Sequence, residues 1–291
     1  MTNHPHSQSL LWRALQHEHW FRDREPRWTG AVTSEAACER SRKLINSLRQ
    51  RGRPAELSLA NRLASCAENE RCLSGGCPVC MRAFQRWCVE SAKAALKRRR
   101  SEGFHIASAS LVLPSGARKL GKLGSISIEN LRRRVVYALS RAEADYALGG
   151  VDVSLNVDSN EGSYWIAHVY LFVCTSDGIK LRQRFSAQMR PSQTVSRPVR
   201  CRPFELSNYG LSYAWKSAFF RRVTFNRTDG GRYTHPGRAL HASELVELTM
   251  YLDQCGLEAR LLLRGFRIVD TRLGPKIAPL ARITPEAIKQ V

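Results

Sequence analysis

Four cysteines, Cys66, Cys72, Cys77 and Cys80, fall within 15 residues in the spacing C-x5-C-x4-C-x2-C. Four thiolates at that density can close a tetrahedral shell around zinc, and Cys77-Pro78-Val79-Cys80 has the form of one arm of a zinc knuckle. Gly75 and Gly76 stand just before that arm, where they are expected to relax the backbone for a tight metal-binding turn. A redox CxxC or a set of unrelated thiols is the competing account. Four protein ligands leave no open position, so the expected role of the metal is structural. Cys88 lies too far into the following segment and is expected to pack rather than ligate.

A second group is expected on a sheet. In the run YWIAHVYLFVC, Tyr164–Cys174, strand alternation puts Tyr164, Ile166, His168, Tyr170 and Phe172 on one face. Asp152, on the strand before it, is within reach of the same area. An acid beside a histidine suits a hard divalent cation such as Mg or Mn, whereas the plainer account is a hydrogen-bonded core histidine.

The third signal is charge. Lys and Arg total 46 against 25 acids in 291 residues, a net charge of +21. An excess of that size points to a polyanionic partner, nucleic acid before an acidic membrane surface. Residues 180–222 concentrate it, with ten Lys or Arg and the single acid Glu205. Phe204, Tyr209, Tyr213, Trp215, Phe219 and Phe220 are interleaved there. Cations that grip a backbone and rings that stack on bases are the composition of a strand-binding groove. The candidate phosphate contacts are Arg182, Arg184, Arg221 and Arg222, together with Arg82, Arg86, Arg98, Arg99 and Arg100 beyond the cysteines. A small-molecule substrate is not indicated.

No apolar run approaches the ~20 residues of a membrane-spanning helix, and the N-terminal stretch lacks the layout of a secretory signal. The expectation is a soluble, cytoplasmic protein with no membrane partner, whose cysteines sit in a reducing environment.

These groups must be positioned by regular elements. Residues 1–30, with His4, His6, His17 and His19, read as a flexible polar tail. Apolar periodicity predicts helices from Thr33 to near Gly52, over Met81–Arg100, over Ile128–Leu148, over Leu206–Arg222 and over Ala242–Cys255, the last capped by Gly256. Strands are predicted at Phe104–Leu113, closed by a turn at Pro114-Ser115-Gly116, and at Val151–Val157 and Tyr164–Cys174, joined as a hairpin by residues 158–162. Residues 180–203 read as exposed strand and loop. The implied class is α+β: an antiparallel sheet with flanking helices, preceded by a small four-cysteine zinc module. The implied units are the tail over 1–30, the helical and zinc module over 31–102, an α+β domain over 103–225 and a C-terminal α/β extension over 226–291.

The order of these features resembles the rolling-circle replication initiators of small plasmids, in the HUH endonuclease superfamily. The likeness spans residues 66–222. It rests on the CPVC cluster, the helix with Arg82, Arg86 and Trp87, the strand VDVSLN, the strand WIAHVY and the later Tyr213-Ala214-Trp215-Lys216. The family resemblance implies a strand histidine pair that binds a divalent ion and a helix tyrosine that attacks DNA. Carried over, His168 takes the first histidine position, Asp152 the neighbouring acid, Tyr213 the nucleophile and Lys216 its accompanying lysine. Tyr209 is the rival nucleophile. Tyr170 stands where the second histidine belongs, so Asp158 or Glu161 would have to complete a metal site, or the site is lost. The expected function is therefore an origin-nicking initiator of a plasmid or mobile element, carrying structural Zn and using Mg or Mn. The alternatives are a non-catalytic zinc-containing regulator derived from that fold and, more distantly, an RNA-binding factor.

Overall fold

Three long runs of β-branched and aromatic residues decide the architecture, because they can bury both faces only inside a covered sheet. In the computed structural model, which describes residues 10–16, 32–67, 70–158, 162–192, 195–226, 232–235 and 237–280, they form the centre of a seven-stranded sheet. Strands β1 (His105–Lys119), β3 (Gly162–Thr175) and β2 (Tyr146–Asp158) lie side by side and antiparallel. The β2–β3 pair is the expected hairpin, closing at Asp158 opposite Gly162. Outside β1 lies β4 (Val199–Pro203). On the other edge, β2 carries β5 (Arg221–Asn226) in parallel at one end and β7 (Leu261–Arg264) antiparallel at the other. A short β6 (Arg232–Thr234) follows β5, while β8 (Phe266–Val269) and β9 (Lys276–Pro279) pair separately.

The helices are α1 (Leu10–Gln16), α2 (Ser34–Arg51), α3 (Pro54–Ala64), α4 (Pro78–Ser101), α5 (Ile128–Arg141), α6 (Gly178–Gln188), α7 (Asn208–Ala214) and α8 (Ala242–Ala259). The class is the expected α+β. One continuous apolar core runs from Leu11 in α1 to Ile277 in β9. Helix α4 is its axis: Phe84, Trp87, Cys88, Val89, Ala92 and Leu96 are all solvent-free. No helix among the described residues is long and apolar enough to cross a membrane.

Several elements depart from their sequence expectation, each for a local reason. The expected tail contains α1, whose Leu11, Ala14 and Leu15 are buried; His4, His6, His17 and His19 lie outside the described residues. The turn expected at residues 114–116 is absorbed as a bulge in β1, which pairs with β3 on both sides of it. Helix α5 stops at Arg141 rather than Leu148, because Glu143 turns the chain at φ 55° and Tyr146-Ala147-Leu148 are buried in β2 instead. Residues 178–188 form a helix, capped by Asp177 Oδ1 accepting from the Ile179 and Lys180 amides and seated by Leu181 and Phe185. The helix expected over Leu206–Arg222 ends at Ala214, and β5 begins at Arg221. Gly256 does break α8, at φ 74°.

Candidate functional site

Two polar groups lie within the core, and α4 joins them. At its N-terminus, the Cys66, Cys72, Cys77 and Cys80 sulfurs all fall within 4.8 Å of one another. The Cys66–Cys80, Cys72–Cys80 and Cys66–Cys77 separations are 3.5, 3.7 and 3.7 Å. Zn–S bonds of about 2.3 Å in a tetrahedron place sulfurs about 3.8 Å apart, so the four thiols fit a structural zinc. Buried Arg71 sets its charge beside Cys77 and Cys80, which favours the thiolate forms. Cys88 is buried and outside the group, as expected. The two glycines serve a different purpose from the expected one, since neither has a positive φ. A Cβ on Gly75 would stand 2.2 Å from the Leu252 carbonyl oxygen, and one on Gly76 2.6 Å from that of Thr249. They let α8 press against the metal loop.

Two turns along α4, Gln85 is buried and bridges the last turn of α7 to the loop that follows it. Its Nε2 donates to the Ser212 carbonyl at 3.0 Å, and its Oε1 accepts from Ser217 Oγ at 2.9 Å. Lys93 Nζ donates to Asn208 Oδ1 at 2.6 Å at the start of α7. Helix α7 is thereby held on the sheet, where Gly150 of β2 leaves space for it. A Cβ on Gly150 would be 2.2 Å from the Ala214 carbonyl oxygen, and Trp215 Nε1 donates to the Gly149 carbonyl at 3.0 Å.

That seating brings the predicted residues together. Register places Asp152 opposite His168 and Gly150 opposite Tyr170. Over them, Lys216 Nζ lies 2.8 Å from Asp152 Oδ2, and Arg260, fully buried, 4.0 Å from Oδ1. The Arg260 guanidinium also donates to the Lys216 carbonyl at 2.8 Å. The Tyr213 and Tyr170 rings meet edge to face at 4.6 Å, Lys216 Nζ sits 4.3 Å over the Tyr213 ring, and Arg222 donates to Tyr213 Oη at 3.0 Å. His168 Nε2 is 2.7 Å from Ser154 Oγ. A cleft of about 260 Å³ opens on this group, walled by Asp152, Ser154, Tyr213, Lys216, Ser217 and Arg222 and rimmed by Tyr209 and Phe220, 55% and 48% exposed.

The charges sort the protonation states. Burial alone would raise the Tyr213 phenol, but Lys216, the Tyr170 hydroxyl and Arg222 together hold it below its ordinary value. Burial pushes Tyr170 up to about 12, so it stays a phenol. Burial, then Lys216 and Arg222, push His168 down to about 3, leaving a neutral imidazole. Asp152 is fully buried; that burial opposes ionisation, but Lys216 and Arg260 outweigh it and hold the carboxyl below its usual range.

The donors here do not make a site for Mg or Mn. Such ions take six ligands in near-octahedral geometry, among them at least one or two free carboxylate or other oxygen donors. The Asp152 carboxylate is engaged by an ammonium, His168 Nε2 by Ser154, and Tyr170 is a neutral phenol. Asp158 is six residues along β2 from Asp152, ~20 Å at strand rise, and Glu161 lies outside the described residues.

The nine candidate arginines divide. Arg82, Arg86 and Arg99 are buried and belong to the interior: Arg82 donates to the Val32 carbonyl, and Arg99 stacks on Tyr146 at 3.7 Å. The expectation that these three meet phosphate is corrected on that ground. Arg98 is exposed beside Glu102, Arg100 donates to the Phe204 carbonyl, and Arg182 is exposed on α6. Arg184 donates to the Ala142 carbonyl, and Arg221 pairs with Glu244 at 3.4 Å. Only Arg222 of the nine walls the cleft. Sequence reasoning missed Gln85, Ser154, Ser217 and Arg260. The one signal for the arrangement was the Gly149-Gly150 pair, which marks close backbone approach inside a strand. No family model matches the chain, and no curated protein or solved structure matches it either.

Proposed function

We propose that the chain is a DNA-binding replication initiator of a plasmid or other mobile element, which cuts and rejoins a single strand through Tyr213. The observation that carries the reading is a phenol kept easier to ionise by Lys216 and Arg222 on the wall of a basic cleft. Tyr209 and Phe220 at the rim suit bases that are splayed rather than paired, which favours a single strand. The resemblance in motif order supplies the DNA-processing context.

In the proposed step, a backbone phosphate lies against Lys216 and Arg222. Tyr213 Oη attacks phosphorus, its proton leaves to water at the cleft mouth, and the P–O3′ bond breaks. The 3′ oxygen takes a proton from water, and the 5′ phosphate remains on the tyrosine. One phosphodiester is exchanged for another, so the reverse reaction rejoins the strand. Asp152 fixes the Lys216 ammonium, and the four cysteines, with zinc, fix the start of α4.

The test is incubation with labelled hairpin-bearing single-stranded DNA, followed by a denaturing gel. The reading predicts a covalent adduct that Tyr213→Phe abolishes and Tyr209→Phe retains. A second reading, binding without cleavage, is favoured by Tyr170 in place of a histidine. It predicts salt-sensitive binding, no adduct and no effect of Tyr213→Phe.

A further inference from the structure

We propose that the cleft neutralises its phosphate with Lys216 and Arg222 and takes no divalent cation at the Asp152–His168 position. The proposal rests on the strand-transfer reading and names the electrophilic partner within it. Lys216 and Arg260 flank a single carboxylate and Arg222 stands on the neighbouring Tyr213 hydroxyl, so the site has positive charge to spare before any ligand arrives. Lys216 Nζ occupies the place beside Asp152 that an ion bridging this carboxylate to the phosphate would need. His168 is only 7% exposed, is turned to Ser154 and does not line the cleft. A dication there would meet an ammonium before it met a second oxygen donor, and like charges at such range repel strongly in a dry site. Arg222 at Tyr213 Oη and Lys216 over the Tyr213 ring, by contrast, can hold two non-bridging oxygens while the phenol attacks. Asp152 acts through Lys216 and is a positioning residue.

The experiment uses the full chain kept zinc-loaded, in buffer freed of Mg and Mn without a chelator that would strip the cysteines. Adduct formation and oligonucleotide anisotropy are measured with and without added Mn, and Mn binding is followed separately by loss of the free-ion paramagnetic resonance signal. The proposal predicts adduct and binding unchanged by Mn, with no stoichiometric Mn uptake. It also predicts at least about tenfold weaker strand binding for Lys216→Met and for the wall variant Arg222→Gln. The second variant stands even where the first fails to fold. Stoichiometric Mn uptake abolished by Asp152→Asn, or an adduct that appears only with Mn, overturns the proposal and leaves strand transfer intact. Absence of adduct under every condition overturns strand transfer itself, and the proposal with it.

Discussion

The cysteine cluster and the Tyr213 cleft are both polar groups within one core, and they are assembled in opposite ways. The cluster draws its four ligands from 15 consecutive residues, so chain order nearly enforces their proximity. The cleft draws on α4, β2, α7, β5 and Arg260, groups separated by up to 175 positions (Gln85 to Arg260), and only the completed sheet brings them together. One helix runs from the first group to the second: Cys77 and Cys80 open α4, and on it Lys93 holds the start of α7 and Gln85 its end. Dependence should therefore run one way. Damage at the cysteines should reach the cleft, while damage at the cleft should leave the cysteines metal-loaded.

The largest effect that would break this comparison is removal of zinc. Cys80→Ala, or chelation of the wild type, is expected to lose stability on the order of 10 kcal/mol at most, as structural zinc sites supply. The loss is read as the fall in Tm, with Trp fluorescence as a second probe. Strand binding should fall with it. Next is Lys216→Met, which strands a buried carboxylate with only Arg260 at 4.0 Å and should cost about 3–5 kcal/mol in urea unfolding. Zinc content should stay at one per chain, and adding Asp152→Asn should recover part of the loss.

Gly150→Ala should cost about 1–3 kcal/mol, because its Cβ collides with the α7 backbone. It should shift Tyr213 without touching zinc, whereas Gly75→Ala should do the reverse.

A pH effect of similar size comes from His168. Its folded-state value of about 3 lies below the unfolded 6.5, so below pH 6.5 the unfolded chain binds the extra proton and stability falls with pH. Between pH 6.5 and 5 the loss should be about 2 kcal/mol in urea titrations, and His168→Gln should flatten it. Asp152 adds to the acid side only below the usual carboxyl range, because its own value is lowered. The smallest effect is Tyr209→Ala, expected to weaken strand binding by about 1 kcal/mol through lost stacking while changing neither Tm nor zinc.

What was legible in the sequence follows the same division. The four-cysteine cluster, the hairpin and the sheet were readable because close spacing and strict alternation encode local geometry. Asp152 and His168 were paired correctly across β2 and β3, since a hairpin fixes its own register. The Lys216–Asp152 contact was not legible, because it depends on where α7 lands, and that was hidden in Gly150, lying next to a segment with helical periodicity. The arginines illustrate the other limit. Composition placed nine of them at phosphate, but Arg82, Arg86 and Arg99 are consumed inside the core, where side chain–carbonyl bonds and an aromatic face replace solvent. Charge counts do not say which cations face outward.

The central claim is that Tyr213 on the cleft wall forms a bond to a DNA phosphate. Mass spectrometry of the protease-digested adduct tests it most directly. The account predicts a nucleotide mass on the peptide containing Tyr213, absent from Tyr213→Phe. The same mass on the peptide of another residue, or no modified peptide from protein that binds the strand tightly, would contradict it.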